Sequence, residues 1–104
     1  MNEVKTHRAV REILRRYLEF EDVCKQEGSY TIECDDLSFS FSDLKGCLKE
    51  LPDRQKEAIY YAVILDLKLK DAAERMGITH ISVGQYVGQA TREIANKLCA
   101  DWKQ

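Results

Sequence analysis

The 104-residue sequence holds no apolar run near the ~20 residues of a membrane-spanning helix, and no signal-peptide pattern at its start. The expectation is a chain that stays where it is made, in the cytoplasm, with no membrane partner. Four cysteines, Cys24, Cys34, Cys47 and Cys99, form no Cys-x-x-Cys pair, and the two histidines, His7 and His80, lie far apart. That spacing argues against a disulfide framework and against a zinc site. In a reducing compartment the thiols read instead as small buried or half-buried side chains. A glycine-rich phosphate loop is missing, and the carboxylates Glu33, Asp35 and Asp36 have no matching histidine or nucleophile. Ser82 stands near His80 without an orienting carboxylate. The reading is a non-enzyme with no metal, no cofactor and no small-molecule substrate.

A charge of one sign is also lacking overall. The net charge is −2, but its distribution is uneven. Residues 1–30 carry six basic and six acidic side chains, and residues 31–66 carry four and eight. Residues 67–104 carry six and four, a net of +2. This C-terminal third attracts phosphate, though weakly, so DNA binding by the isolated chain is expected to be feeble and salt-sensitive. A third of the residues are charged and 44% are hydrophobic, an ordinary balance for one small globular unit over residues 1–104.

Taken in order, residues 3–27 read as one helix. Val10, Ile13, Leu14, Tyr17 and Leu18 recur at helical spacing, and Gly28 followed by Ser29 is the stop. Arg8, Arg11, Arg15 and Arg16 run through it as a basic stripe of the kind that touches phosphate or an acidic partner, but the interleaved Glu12, Glu19 and Glu21 favour reading it as a solvated face. Residues 28–42 lose that period. Leu37, Phe39 and Phe41 alternate with serines; a two-stranded element fits this, but no hairpin turn signal supports it, so the expectation is an extended connector pinning aromatics to the core. Ser40 and Asp43 have capping-box spacing, and a short helix over 43–50 follows, with Leu44, Cys47 and Leu48 inward. Pro52, the single proline, fits the first turn of a helix over 52–65. Its inward set is Ala58, Ile59, Ala62, Val63 and Leu65. Tyr60, Tyr61 and Ile64 widen the apolar circumference, which fits either a partner surface or packing on the N-terminal helix and the connector.

Residues 68–86, KLKDAAERMGITHISVGQY, organise the rest. Ala73 is small enough for a second helix to cross closely. Gly77 falls where the first helix must end, at a turn that needs positive φ. Thr79 is a ready N-cap, and Val83 lies on the inward face of the next helix. This is the pattern of a helix-turn-helix whose second helix enters a DNA major groove. The first helix has Leu69, Ala72, Ala73 and Met76 inward. The second is expected to run to about residue 102, with Val83, Tyr86, Val87, Ala90, Ile94 and Leu98 inward. Gly84 and Gly88 share one of its faces, at about 1 kcal/mol each relative to alanine.

Residues 51–98 resemble region 4 of the bacterial sigma-70 family. The likeness rests on Leu51-Pro52-x-Arg54-Gln55-x-Glu57, on Asp71-Ala72-Ala73-Glu74-Arg75-Met76-Gly77-Ile78, and on Val83. It implies an all-α fold, binding to the promoter −35 element, and contact with the flap of the RNA polymerase β subunit. On that resemblance Tyr60, Tyr61 and Ile64 are the polymerase-contact candidates. The outward residues early in the second helix, His80, Ile81, Ser82 and Gln85, with Gln89 further along, are the candidates for base edges in double-stranded DNA. Arg54, Lys68, Lys70, Thr79 and Arg92 are the candidates for phosphate.

Two departures shape the functional expectation. The second helix lacks the arginines and lysines usual on the family's exposed face, and the 104 residues leave no room for a segment that melts promoter DNA. The expected protein is thus a small accessory or phage-type regulator, not a complete sigma factor. The expected architecture is a small all-α domain: an N-terminal helix at 3–27, a connector at 28–42, and a sigma region 4-like helix-turn-helix part at 43–102. Alternatives are a helix-turn-helix that binds polymerase or a sigma factor without DNA, and a phage DNA-packaging module carried on an oligomer. Self-association through the arginine-rich helix, as a homodimer, is left open.

Overall fold

The computed structural model describes residues 3–34 and 37–102, with side chains over 7–33 and 38–98. Along the chain come α1 (Glu3–Arg15), α2 (Tyr17–Glu27), β1 (Thr31–Cys34) and β2 (Leu37–Ser40). They are followed by α3 (Phe41–Lys49), α4 (Asp53–Ile59), a π-helical turn (Tyr60–Ile64), α5 (Leu69–Met76) and α6 (His80–Trp102). α6 is the axis: α1, α3, α4 and α5 all pack against it. Val10, Leu14, Leu44, Ile59, Val83 and Ile94 are fully enclosed in one continuous core. Thr91 is buried among them and satisfied, its Oγ1 donating to the Val87 carbonyl at 2.7 Å. None of the described helices is long and apolar enough to cross a membrane.

The first correction is at the N-terminus, where one helix was expected over 3–27 and two are present. Arg16 breaks them at φ −100°, ψ 12°, its N–H turned back to the Ile13 carbonyl at 3.1 Å. The apolar spacing runs on through the break, so periodicity does not reveal it. The bend is set by what α2 must reach. Tyr17 packs on Phe41 with ring centroids 5.0 Å apart, and Phe20 stacks on Tyr30 at 5.4 Å. Leu18, expected inward, is 45% exposed. α2 then ends as expected at Gly28, whose φ of 83° accommodates the left-handed cap.

The second correction removes the strict all-α class. Residues expected as a connector form an antiparallel hairpin, with Ile32 opposite Phe39 and Cys34 opposite Leu37, leaving two residues between the strands. No local turn signal announces it. A pairing across the sheet decides it: Ile32 is buried and Phe39 half-buried on the face turned to the core, while Thr31, Glu33 and Ser38 face outward. The Phe41 N–H carries the ladder on to the Tyr30 carbonyl at 2.8 Å. Ser40 then caps α3, its Oγ accepting from the Asp43 N–H at 3.1 Å. Of the cysteines, Cys24 is half-buried and Cys47 buried; Cys34, Cys99, Asp35, Asp36 and Leu37 lie outside the described side chains.

The third correction concerns the helix expected over 52–65. Pro52 is the N-cap of α4, one place before the first turn, and α4 gives way to the π-turn at Tyr60. A π-turn holds an extra residue, and its signature here is the Leu65 N–H bonded to the Tyr60 carbonyl at 2.9 Å. Burial therefore repeats at five, with Ala58 and Ile59 followed by Val63 and Ile64. An uninterrupted α-helix would have repeated at three and four. The shift rotates Leu65 outward, against expectation, turns Ile64 inward to the core, the packing alternative to a partner surface, and leaves Ala62 half-buried. Asp66, at φ 55°, closes the segment, and Leu67 N–H returns to the Tyr61 carbonyl at 3.0 Å. Leu69, also expected inward, is 43% exposed.

Candidate nucleic-acid interface

The turn between α5 and α6 forms as local chemistry dictates. Gly77 adopts φ 69°, ψ 33°, and the Ile78 N–H doubles back to the Ala73 carbonyl at 3.1 Å. Those bonds satisfy carbonyls that the end of α5 would otherwise leave bare. Thr79 then caps α6: its Oγ1 accepts from the Ser82 N–H at 3.1 Å and donates to the Ser82 Oγ at 3.0 Å. Ala72, Ala73 and Met76 of α5 are buried where it crosses α6, with Val83 and Val87 in the same core. From below, Arg54 Nη1 donates to the Met76 carbonyl at 2.9 Å, so a guanidinium closes the negative end of α5.

This frame holds the outer face of α6 in one orientation. Ile81, Gln85, Gln89 and Arg92 follow each other at four, four and three residues, and all four are exposed. Ile81 is the most open large apolar side chain among the described residues, at 64%. Such a side chain gains little from water and is suited to a thymine methyl or to another protein. His80 is exposed at the helix start. Ser82 is half-buried, its hydroxyl and N–H both engaged by Thr79. Gln89 accepts from Gln55 Nε2 at 3.3 Å, which leaves its own amide N–H groups to face outward.

The five phosphate candidates divide in two. Lys68, Lys70 and Arg92 are exposed and have no ion-pair partner among the described residues. Arg54 is committed to the Met76 carbonyl and Thr79 to its cap, so both support the turn. Lys97, further along α6, is tied to Glu50 of α3. That hydrogen bond raises the Lys97 pKa above its ordinary value, outweighing slight desolvation.

The third candidate set does not stand as one surface. Tyr60 is 46% exposed and meets Tyr61 edge-on at 5.4 Å, Tyr61 is half-buried, and Ile64 is buried under the π-turn. Leu65 and Leu69, exposed after the π-turn, are the apolar side chains that sequence reading placed inward. The five-residue burial spacing was the signal for them, and it shows only once the core is known.

A family model described as sigma-70, region 4 matches residues 42–94, which is 53 of the 104 residues. The match takes in α3, α4, the π-turn, α5 and most of α6, and leaves out α1, α2 and the hairpin. No curated protein and no solved structure matches the chain. The family is one of non-enzymatic helix-turn-helix domains associated with DNA and RNA polymerase. With the capped turn, the α5–α6 crossing and a match over more than half its length, this chain belongs to the sigma-70 region 4 family.

Proposed function

We propose that the chain regulates transcription by placing α6 in the major groove of a −35-like promoter element while it is held on RNA polymerase. The exposed row of Ile81, Gln85 and Arg92 on a helix locked by Thr79 and Gly77 carries this reading. Gln85 reads adenine, Ile81 packs on a thymine methyl, and His80 lies at the groove edge. Gln89 adds a donor from its free amide. Lys68, Lys70 and Arg92 take phosphates. Tyr60, with the part of Tyr61 that is open, contacts the flap of the polymerase β subunit.

One observation favours working on polymerase over working alone. Arg92 is the one cation of α6 among the described residues that lies exposed and without a partner, since Lys97 is held by Glu50. A helix with so little charge gains little from counterion release. The test is co-purification of the tagged chain from its host after nuclease treatment, probed for polymerase. Retained polymerase, with −35-like DNA bound tightly in that complex and only feebly by the chain alone, is the expected result. Loss of polymerase, with DNA shifted by the chain alone, points to an autonomous regulator or a packaging protein. With neither signal the proposal fails.

A further inference from the structure

Among the described residues, the densest unpaired positive charge lies outside the family match, on α1. Residues 7–16 hold four arginines and one carboxylate, Glu12, whereas residues 68–98 hold five basic and three acidic side chains. Arg8, Arg11 and Arg15 fall at three- and four-residue spacing and share one helix face, and all three are exposed. The glutamates interleaved with this stripe form no ion pair with Arg8, Arg11 or Arg15 among the described residues. Glu19 pairs with Arg16 at 3.0 Å, and Glu21 lies by Tyr17. Glu12 sits at the edge of the stripe but forms no ion pair among the described residues. Arg16 itself is occupied, its guanidinium lying 4.9 Å over the Phe20 ring. Arg8, Arg11 and Arg15 thus project three guanidinium groups with no ion-pair partner among the described residues, with His7 half-buried beside them. Arg15 has a local reason to be basic, at the negative end of α1. Arg8 and Arg11 have none.

We propose that the face of Arg8, Arg11 and Arg15 is a second DNA contact, holding the phosphate backbone of duplex beside the α6 site. This rests on the reading of α6 as a DNA-binding helix. Charge complementarity selects the occupant. Duplex DNA presents about one negative charge per 1.7 Å of axis, so a row of guanidinium groups finds phosphates without a defined register. Each guanidinium suits bidentate contact to phosphate oxygens. α1 packs directly against α6, so both faces belong to one unit, whose longest dimension of 37 Å is close to one turn of duplex, about 34–36 Å. The contact also supplies what α6 lacks. A second copy of the chain is a poorer occupant: its acidic residues are spread over α2, the hairpin, α3, α4 and α5, and Glu19 and Glu50 are already held by Arg16 and Lys97.

The test measures binding of the full chain to a 30-bp duplex enriched from a random pool, and to its scrambled counterpart, between 50 and 200 mM KCl. The variants are Arg8→Gln/Arg11→Gln/Arg15→Gln, the matching triple lysine variant, and Gln85→Ala. Thermal melts confirm that each is folded. Each lost phosphate contact flattens the log–log salt slope by about 0.9, so the glutamine triple should flatten it by about 2.7. That corresponds to roughly a 40-fold smaller change in affinity across this salt range. The loss should be equal on both duplexes, and the lysine triple should keep the wild-type slope. Gln85→Ala should narrow the difference between duplexes and leave the slope alone. A wild-type slope in the glutamine triple overturns the proposal, whether or not polymerase retention falls. So does a flattened slope in the lysine triple. If the wild type binds both duplexes equally but the glutamine triple still flattens the slope, the α1 contact stands and base reading by α6 fails. No duplex binding, alone or on polymerase, overturns both.

Discussion

Replacing Gly84 and Gly88 by alanine should stabilise the protein. Both lie in the interior of α6, where glycine costs about 0.8–1.0 kcal/mol relative to alanine. An ideal Cβ built at either position meets nothing within 4 Å, so alanine fits without moving a neighbour. The full propensity gain should therefore appear, about 1 kcal/mol for each single variant. With open space around both positions the pair should gain about 2 kcal/mol, and the singles and double together measure any coupling between these neighbours one turn apart. A chain of this length has an unfolding entropy near 0.2 kcal/mol/K, so the double variant should melt about 9 °C higher. Circular dichroism melts of wild type, both singles and the double measure this directly, with urea titration as a check at one temperature. A double variant that melts at or below wild type refutes the reasoning, because it requires a contact or a strain that the structure does not contain. DNA binding and polymerase retention of the same variants carry a second message. If binding falls while stability rises, the two glycines serve close approach of a partner to α6. If binding is unchanged, they serve neither partner.

At the turn, Gly77→Ala forces a side chain onto φ 69° and should cost about 1–2 kcal/mol, read as a lower melting temperature. Thr79→Ala removes the cap on Ser82 N–H and should cost about 1 kcal/mol, with Thr79→Ser recovering most of it. Tyr60→Ala should leave the melt near wild type and weaken polymerase retention, because nearly half of Tyr60 is exposed. Ile64→Ala should do the reverse first, costing about 2–5 kcal/mol through the cavity it leaves. The hydrogen bond from Lys97 to Glu50 gives a pH dependence. The Lys97 pKa is raised in the folded state, so its contribution is complete below the ordinary lysine value and disappears as pH rises through the raised one. Melts compared with Glu50→Gln between pH 9 and 12 should converge at the alkaline end, and a gap that persists there refutes this reading.

The helix-turn-helix was legible because its determinants are neighbours in sequence. Gly77 must take positive φ, Thr79 must cap Ser82, and Ala73 must be small; each follows from residues fewer than ten apart. The outward set His80, Ile81, Gln85, Gln89 and Arg92 follows equally from a helix whose start is known. The hairpin was not legible, because the pairing of Ile32 with Phe39 spans a connection without glycine or asparagine. Nor was the burial of Ile64. It depends on an extra residue in the π-turn beneath α1, and the apolar run YYAVIL fits several phases equally well.

By itself the sequence determined the capped turn, the long helix that follows it and the family to which the chain belongs. These rest on backbone torsions and hydrogen bonds within a few residues, where one side chain decides one angle. The tertiary structure alone decided the break at Arg16, the two-stranded sheet, the inward turn of Ile64, and which arginines are left without carboxylate partners. Each of those is settled by groups brought together across the chain. Tyr17 on Phe41, Ile32 on Phe39 and Glu19 on Arg16 each exclude alternatives of nearly equal local energy.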